Sequence, residues 1–274
     1  MSAITTEDIH IDTDQGRLFA RRWALGPDDA AHHAPIVLFH DSLGCVDLWR
    51  DFPERLAITT QRTVIAYDRL GFGRSDPHPG TLALTFIHDE ANGGFRRLRD
   101  ALGFNDFIAF GHSVGGGMAT SCAAAYGDVC RGLVTESAQT FVEDRTRAGV
   151  LQAKHGFAQP GQVDRLKKYH GDKAAWVLSA WVDTWLSPEF ADWKLDDELR
   201  RVRCPVLALH GDQDEYGSAA HPEKIAALTG GRAVVLEGCG HVPHREKLDA
   251  VLGLAGQWLT NIGLSSAGVT PYMP

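Results

Sequence analysis

Asp106-Phe107-Ile108-Ala109-Phe110-Gly111-His112-Ser113-Val114-Gly115 is the stretch that decides the fold. Its apolar first half reads as a buried strand, its second half fits G-x-S-x-G, and the small residues over 116–126 read as a tightly packed helix. Strand, sharp turn and helix form the context in which a serine hydroxyl is presented, on a strained backbone, at the carboxyl end of a sheet. Gly111 and Gly115 fit this reading, because a side chain at either position crowds the turn. Ser113 is therefore the candidate nucleophile.

Outward from this turn, apolar runs of strand length recur at 36–39, 64–67, 133–135, 206–209 and 234–236. Amphipathic stretches such as 48–58 and 87–102 separate them. This alternation predicts a doubly wound, mostly parallel α/β sheet. The start differs: 9–11 and 17–23 flank Asp14-Gln15-Gly16 and read as an antiparallel hairpin at the sheet edge. Eight strands result. Over 141–201 no convincing strand occurs; charged helix formers surround Trp176, Trp181, Trp185 and Trp193. The expectation is a helical cap at 141–201 inserted into a core domain of 1–140 and 202–274. Trp181 and Trp185, four apart, share a helix face. That face reads first as glue between cap and core, with one or two of its rings reaching the pocket. His32 and His33 read as surface-loop residues, and the tail after Ile262 as a loosely held end.

A chain of 274 residues suits one large domain that can bury a core without a disulfide or metal staple. Its net charge of −8, with no Lys/Arg-rich run, argues against nucleic-acid partners and against basic attachment to membranes. No apolar run reaches membrane-span length, and the polar, acidic start lacks a signal-like pattern. Five cysteines (Cys45, Cys122, Cys130, Cys204 and Cys239), with no CxxC pair, read as free thiols in a reducing compartment. A cytoplasmic protein, monomeric or homodimeric, is expected.

A serine hydroxyl is a weak nucleophile; it needs a base, and the base needs an orienting acid. On this architecture the chain order is Ser, acid, His. The strand at 206–209 runs into His210-Gly211-Asp212-Gln213-Asp214, which offers Asp214 as the acid and Asp212 as its rival; Glu136, ending the preceding strand, is a more distant one. The strand at 234–236 leads to Gly238-Cys239-Gly240-His241, which offers His241 as the base, with His244 the weaker candidate. A tetrahedral intermediate also needs N–H donors. Val114, directly after the nucleophile, supplies one, and Ser42, in the loop His40-Asp41-Ser42-Leu43-Gly44, the second. His112 reads as packed beneath the elbow. Leu43, Cys45, His112, Trp181 and Trp185 are the candidate substrate-binding residues. No metal site is implied, because the histidines lack ligand spacing.

Taken together these residues resemble the α/β-hydrolase superfamily over nearly the whole chain. His40 to Gly44 is similar to its His-Gly oxyanion motif, and Asp68-Arg69-Leu70-Gly71-Phe72-Gly73-Arg74-Ser75 to its D-x-x-G-x-G-x-S segment. Gly111 to Gly115 resembles the nucleophile elbow, His210 to Asp214 the H-G-x-x-D acid loop, and Gly240-His241 with Glu246 the closing G-H-x-x-x-x-E. The acid-loop resemblance favours Asp214 over Asp212. Asp41 departs from the pattern, standing where most relatives have glycine. The run Ser42-Leu43-Gly44 is similar to one in enol-lactone hydrolases, which adds lactones to the candidate substrates. A serine nucleophile argues against the haloalkane dehalogenase and epoxide hydrolase branches, which use aspartate.

The resemblance and the residues imply a serine hydrolase, free of cofactors, that cleaves a small carboxylic ester or lactone through an acyl-enzyme. C–C bond hydrolases, thioesterases, perhydrolases and hydroxynitrile lyases share such a triad. The cap lysine that the last of these need is not diagnostic here, since Lys154, Lys167, Lys168, Lys173 and Lys194 all fall in the cap. A slow-turnover ligand receptor on the same fold is the reading from a different class.

Overall fold

A computed structural model describes residues 4–26 and 33–264; His32 and the tail beyond 264 lie outside the described residues. One eight-stranded sheet organises the molecule, in the order β1-β2-β4-β3-β5-β6-β7-β8. β1 (Thr5–Thr13) and β2 (Gly16–Ala24) form the expected antiparallel hairpin, closed by a two-residue turn because Thr13 pairs with Gly16. β2 then runs antiparallel to β4 (Val64–Asp68). From there β3 (Ile36–Phe39), β5 (Phe107–His112), β6 (Cys130–Glu136), β7 (Val206–Gly211) and β8 (Arg232–Leu236) are parallel to their neighbours.

Alternate residues of the central strands point to opposite faces, and each face has its own core. Val37, Phe39, Ala109, Leu133 and Ala208 face one side, against α3 (Gly94–Leu102) and α4 (Val114–Ala125). Ile36, Leu38, Ile108, Phe110, Leu207 and Leu209 face the other, against α1 (Phe52–Thr60) and α11 (Leu248–Asn261), which follows the short α10 (Pro243–Glu246). The amphipathic stretch predicted over 87–102 is two helices, α2 (Phe86–Asp89) and α3, because the chain turns at 90–93 to bury Glu90 against the Tyr67 hydroxyl, 2.5 Å from its Oε1.

Between β6 and β7 come α5 (Asp144–Phe157), α6 (Gln162–His170), α7 (Ala174–Leu186) and α8 (Asp196–Arg201). Asp and Glu at the start of α8 and Arg at its end complement the helix dipole. α8 packs on α4 and on α9 (Ala220–Thr229), as part of the layer that covers the sheet. α5 to α7 lie over the carboxyl ends of the strands and share that cluster: Val150, Val182 and Trp185 are buried in it with Phe39 and Val114.

The elbow depends on backbone contact. Ser113 sits at φ 56°, ψ −126°, a conformation that strains a residue with a side chain. A Cβ on Gly111 would lie 2.1 Å from the Gly115 carbonyl oxygen, and one on Gly115 would lie 2.1 Å from that of Phe39. The elbow analysis predicts opposite outcomes for two Gly→Ala substitutions followed by urea unfolding. Gly115→Ala forces a methyl into β3 and costs about 2–4 kcal/mol. Gly253→Ala, on an open face of α11, stabilises by up to about 1 kcal/mol, since alanine is the better helix former.

Candidate active site

Three loops at the carboxyl ends of β5, β7 and β8 bring Ser113, Asp214 and His241 together. Ser113 Oγ lies 3.0 Å from His241 Nε2, and His241 Nδ1 lies 2.9 and 2.8 Å from the two carboxylate oxygens of Asp214. Asp214 is fixed in turn by its own loop: its Oδ1 accepts the Tyr216 N–H at 2.7 Å and the Gly217 N–H at 3.2 Å. Burial alone would raise the Asp214 pKa, but the hydrogen bond and charge of His241 outweigh it and hold the carboxyl below its ordinary value. Burial likewise opposes a charged His241, yet the hydrogen bond and charge of Asp214 raise its pKa above the ordinary histidine range. An Nδ1–H donated to Asp214 leaves Nε2 as the acceptor facing Ser113 Oγ, the tautomer a general base requires.

The rivals are engaged elsewhere. Asp212 accepts the Cys239 N–H at 3.2 Å. Glu136 is fully buried, with its Oε2 2.5 Å from His244 Nδ1. With His112 these two form a group whose ligand-type atoms lie within 4.8 Å of one another, the one such group found among the described residues. His112 Nε2–H already donates to the His241 carbonyl at 2.8 Å, so the group holds the base loop against β5. Burial beside His244 lowers the His112 pKa to about 4, which keeps the ring neutral.

Two N–H groups are the candidate oxyanion donors. That of Val114 opens α4 and has no carbonyl four residues back inside the helix. That of Ser42 belongs to a loop clamped from several sides. Asp68 Oδ1 accepts the Val46 N–H at 2.6 Å, and Asp68 Oδ2 accepts the Arg74 N–H at 2.7 Å. Arg69 donates to the Asp41 carbonyl at 2.8 Å and to His40 Nε2 at 3.2 Å. From α6, buried His170 accepts the Gly73 N–H at 2.9 Å on Nδ1 and donates Nε2–H to the Leu43 carbonyl at 3.0 Å. The D-x-x-G-x-G-x-S segment thus braces the loop that carries Ser42.

A cavity of about 220 Å³ opens over Ser113. Of the candidate substrate-binding residues, Leu43, Trp181 and Trp185 line it, together with Ser42. Cys45 and His112 do not: both border a smaller void on the far side of the oxyanion loop, Cys45 turned inward at 2 % exposure and His112 beneath His241. Asp41, Gln139, Thr146, Glu215 and Tyr216 line the cavity without having been singled out for it in the sequence. Gln139 follows the end of β6, and Glu215 and Tyr216 directly follow the acid, so the rule that ligands bind beyond the carboxyl ends of parallel strands is the signal that could have found them. From α5, Thr146 Oγ1 donates to the Tyr216 carbonyl at 2.7 Å, and Arg145 to that of Asp214 at 3.0 Å, which pins the acid loop.

Among the described residues no helix is long and apolar enough to cross a membrane. A family model described as the alpha/beta hydrolase fold matches residues 34–182. The chain is similar to a non-heme chloroperoxidase of Streptomyces lividans, at 26 % identity over 274 residues covering 88 % of this chain and 93 % of the relative. A proline iminopeptidase of Lactobacillus acidophilus is 23 % identical over 269 residues, covering 82 % of this chain and 90 % of that protein. A (lyso)-N-acylphosphatidylethanolamine lipase of Bos taurus is 33 % identical over 100 residues, 36 % of this chain and 29 % of the lipase. A thermophilic esterase of Thermogutta terrifontis superimposes with a TM-score of 0.67 at 20 % identity, over 93 % of this chain and 99 % of the esterase. With a family model that matches more than half of its residues, the chain is an enzyme of the α/β-hydrolase fold family.

Proposed function

We propose that the protein is a serine hydrolase that cleaves a small carboxylic ester or lactone by way of an acyl-enzyme on Ser113. The observation that carries this reading is the unbroken hydrogen-bonded line from Asp214 through His241 to Ser113 Oγ at the floor of the cavity. His241 Nε2 takes the hydroxyl proton as Oγ attacks the substrate carbonyl carbon. The carbonyl oxygen becomes an oxyanion, held by the Ser42 and Val114 N–H groups. Asp214 keeps the imidazole oriented and stabilises the imidazolium that forms. Collapse of the intermediate breaks the bond to the leaving oxygen, which takes the proton from His241 Nε2. Water then repeats the cycle: it gives a proton to His241, attacks the acyl carbon and releases the acid, and Ser113 Oγ recovers its proton. In a lactone the leaving oxygen stays tethered, and the product is a single hydroxy acid.

The size of the cavity favours short acyl groups, and Trp181 and Trp185 give it an apolar wall. A p-nitrophenyl ester series from acetate to decanoate is expected to peak at short chains. Ser113→Ala is expected to lower turnover at least about 10³-fold with the fold retained by circular dichroism. Turnover unchanged in that variant would reject the serine mechanism.

The base acts only when neutral. Because His241 binds its proton more tightly than an ordinary histidine, the acidic limb of the kcat/KM profile is expected above the usual histidine range. Asp214→Asn removes the hydrogen bond and charge that raise the His241 pKa. In that variant the limb moves to lower pH, and activity falls by about 10⁴-fold, because the tautomer is no longer enforced.

A further inference from the structure

The cavity over Ser113 is bordered by two acids and, among its lining residues, by no lysine or arginine. Asp41 stands one residue before the Ser42 N–H, and Glu215 one residue after Asp214. Neither carboxylate takes part in an ion pair among the described residues. The nearby cations are committed to other acceptors. Arg145 donates to the Asp214 carbonyl, and Arg69, which borders a small void behind Ser42, Trp181 and Trp185, donates to the Asp41 carbonyl and to His40 rather than to a carboxylate. A fixed negative charge beside an oxyanion-binding N–H opposes the charge that develops on the substrate oxygen, and a positive charge on the substrate offsets that penalty.

Two further features point the same way. Trp181, Trp185 and Tyr216 line the same cavity, and aromatic faces attract cations that approach within about 6 Å of the ring centroid. Gln139 is only 3 % exposed, and its Oε1 lies 3.5 Å from Ser113 Oγ. That hydroxyl proton is directed to His241 at 3.0 Å, so the amide oxygen, beside the nucleophile in the cavity lining, has no committed donor.

We propose that the natural substrate carries a positively charged nitrogen a few bonds from the scissile carbonyl, held between the Asp41 and Glu215 carboxylates and the Trp181, Trp185 and Tyr216 rings. The inference rests on the hydrolase reading and names the substrate's charge class. The field of the two acids reaches the catalytic imidazole, since both add to the effect of Asp214 in raising the His241 pKa.

Two isosteric ester pairs test it, followed by acid release in a pH-stat. Butyrylcholine against 3,3-dimethylbutyl butyrate places the charge on the leaving side. Ethyl 4-(trimethylammonio)butanoate against ethyl 5,5-dimethylhexanoate places it on the acyl side. In at least one pair the cationic member is expected to have about tenfold higher kcat/KM, a preference that shrinks as salt rises from 0.01 to 0.5 M. In Asp41→Asn/Glu215→Gln the cationic-to-neutral ratio falls toward one. Equal or better turnover of the neutral member in both pairs overturns the inference and leaves the hydrolase reading intact. No turnover of any of the four esters by folded protein counts against the hydrolase reading itself.

Discussion

The structure depends on one close approach: the first turn of α4 is laid directly against the backbones of β3 and β5. Two hydrogen atoms, the side chains of Gly111 and Gly115, make this approach sterically feasible. Ser113, between them, is forced to a positive φ, which ends the strand, starts the helix and aims Oγ out of the sheet. The Val114 N–H is aimed by the same geometry, so the proposed nucleophile and one proposed oxyanion donor are set by one local constraint. The strain is held because β5 is buried on both faces and paired with β3 and β6 along its length.

The electrostatics of the site join stability to activity with opposite signs. Asp214 has a depressed pKa in the fold, so its contribution is present above the unfolded carboxylate pKa and is lost as pH falls through the folded value. His241 has a raised pKa, so its contribution is complete below the unfolded histidine value and is lost as pH rises through the folded one. The pair therefore stabilises the fold most between the ordinary carboxylate and histidine ranges. The neutral imidazole that the proposed mechanism requires predominates only above that window, so that protonation state gives up part of the pair's contribution to stability.

Much of this was legible in the sequence because it is local. The elbow is encoded by two glycines four positions apart, the sheet by apolar runs, and the candidate acid and base by loops that directly follow strands. Asp214 and Asp212 belong to one acidic loop, and the resemblance adds weight to Asp214 as the choice; in the structure Asp212 accepts the Cys239 N–H. What was not legible is which way side chains of the irregular loops point. Cys45 and His112 are neighbours in sequence of true lining residues, yet they face the far side of the oxyanion loop and the underside of His241. Gln139 reaches the nucleophile, and His170 reaches across from α6 to the Leu43 carbonyl. No periodicity encodes either contact, because each is fixed by tertiary packing between distant segments.

The helices over the site have no interior of their own: Val150, Val182 and Trp185 belong to the same buried cluster as Phe39 and Val114. Buried His170 and the contacts of Thr146 and Arg145 add polar ties to the oxyanion and acid loops. An insertion built this way is not an interchangeable part. Grafted onto another member of the family, it would arrive without the surfaces that complete its core. Deleted, it would uncover apolar strand ends and release both loops at once. New specificity in this protein is therefore more accessible through side chains that face the cavity than through exchange of the segment that roofs it.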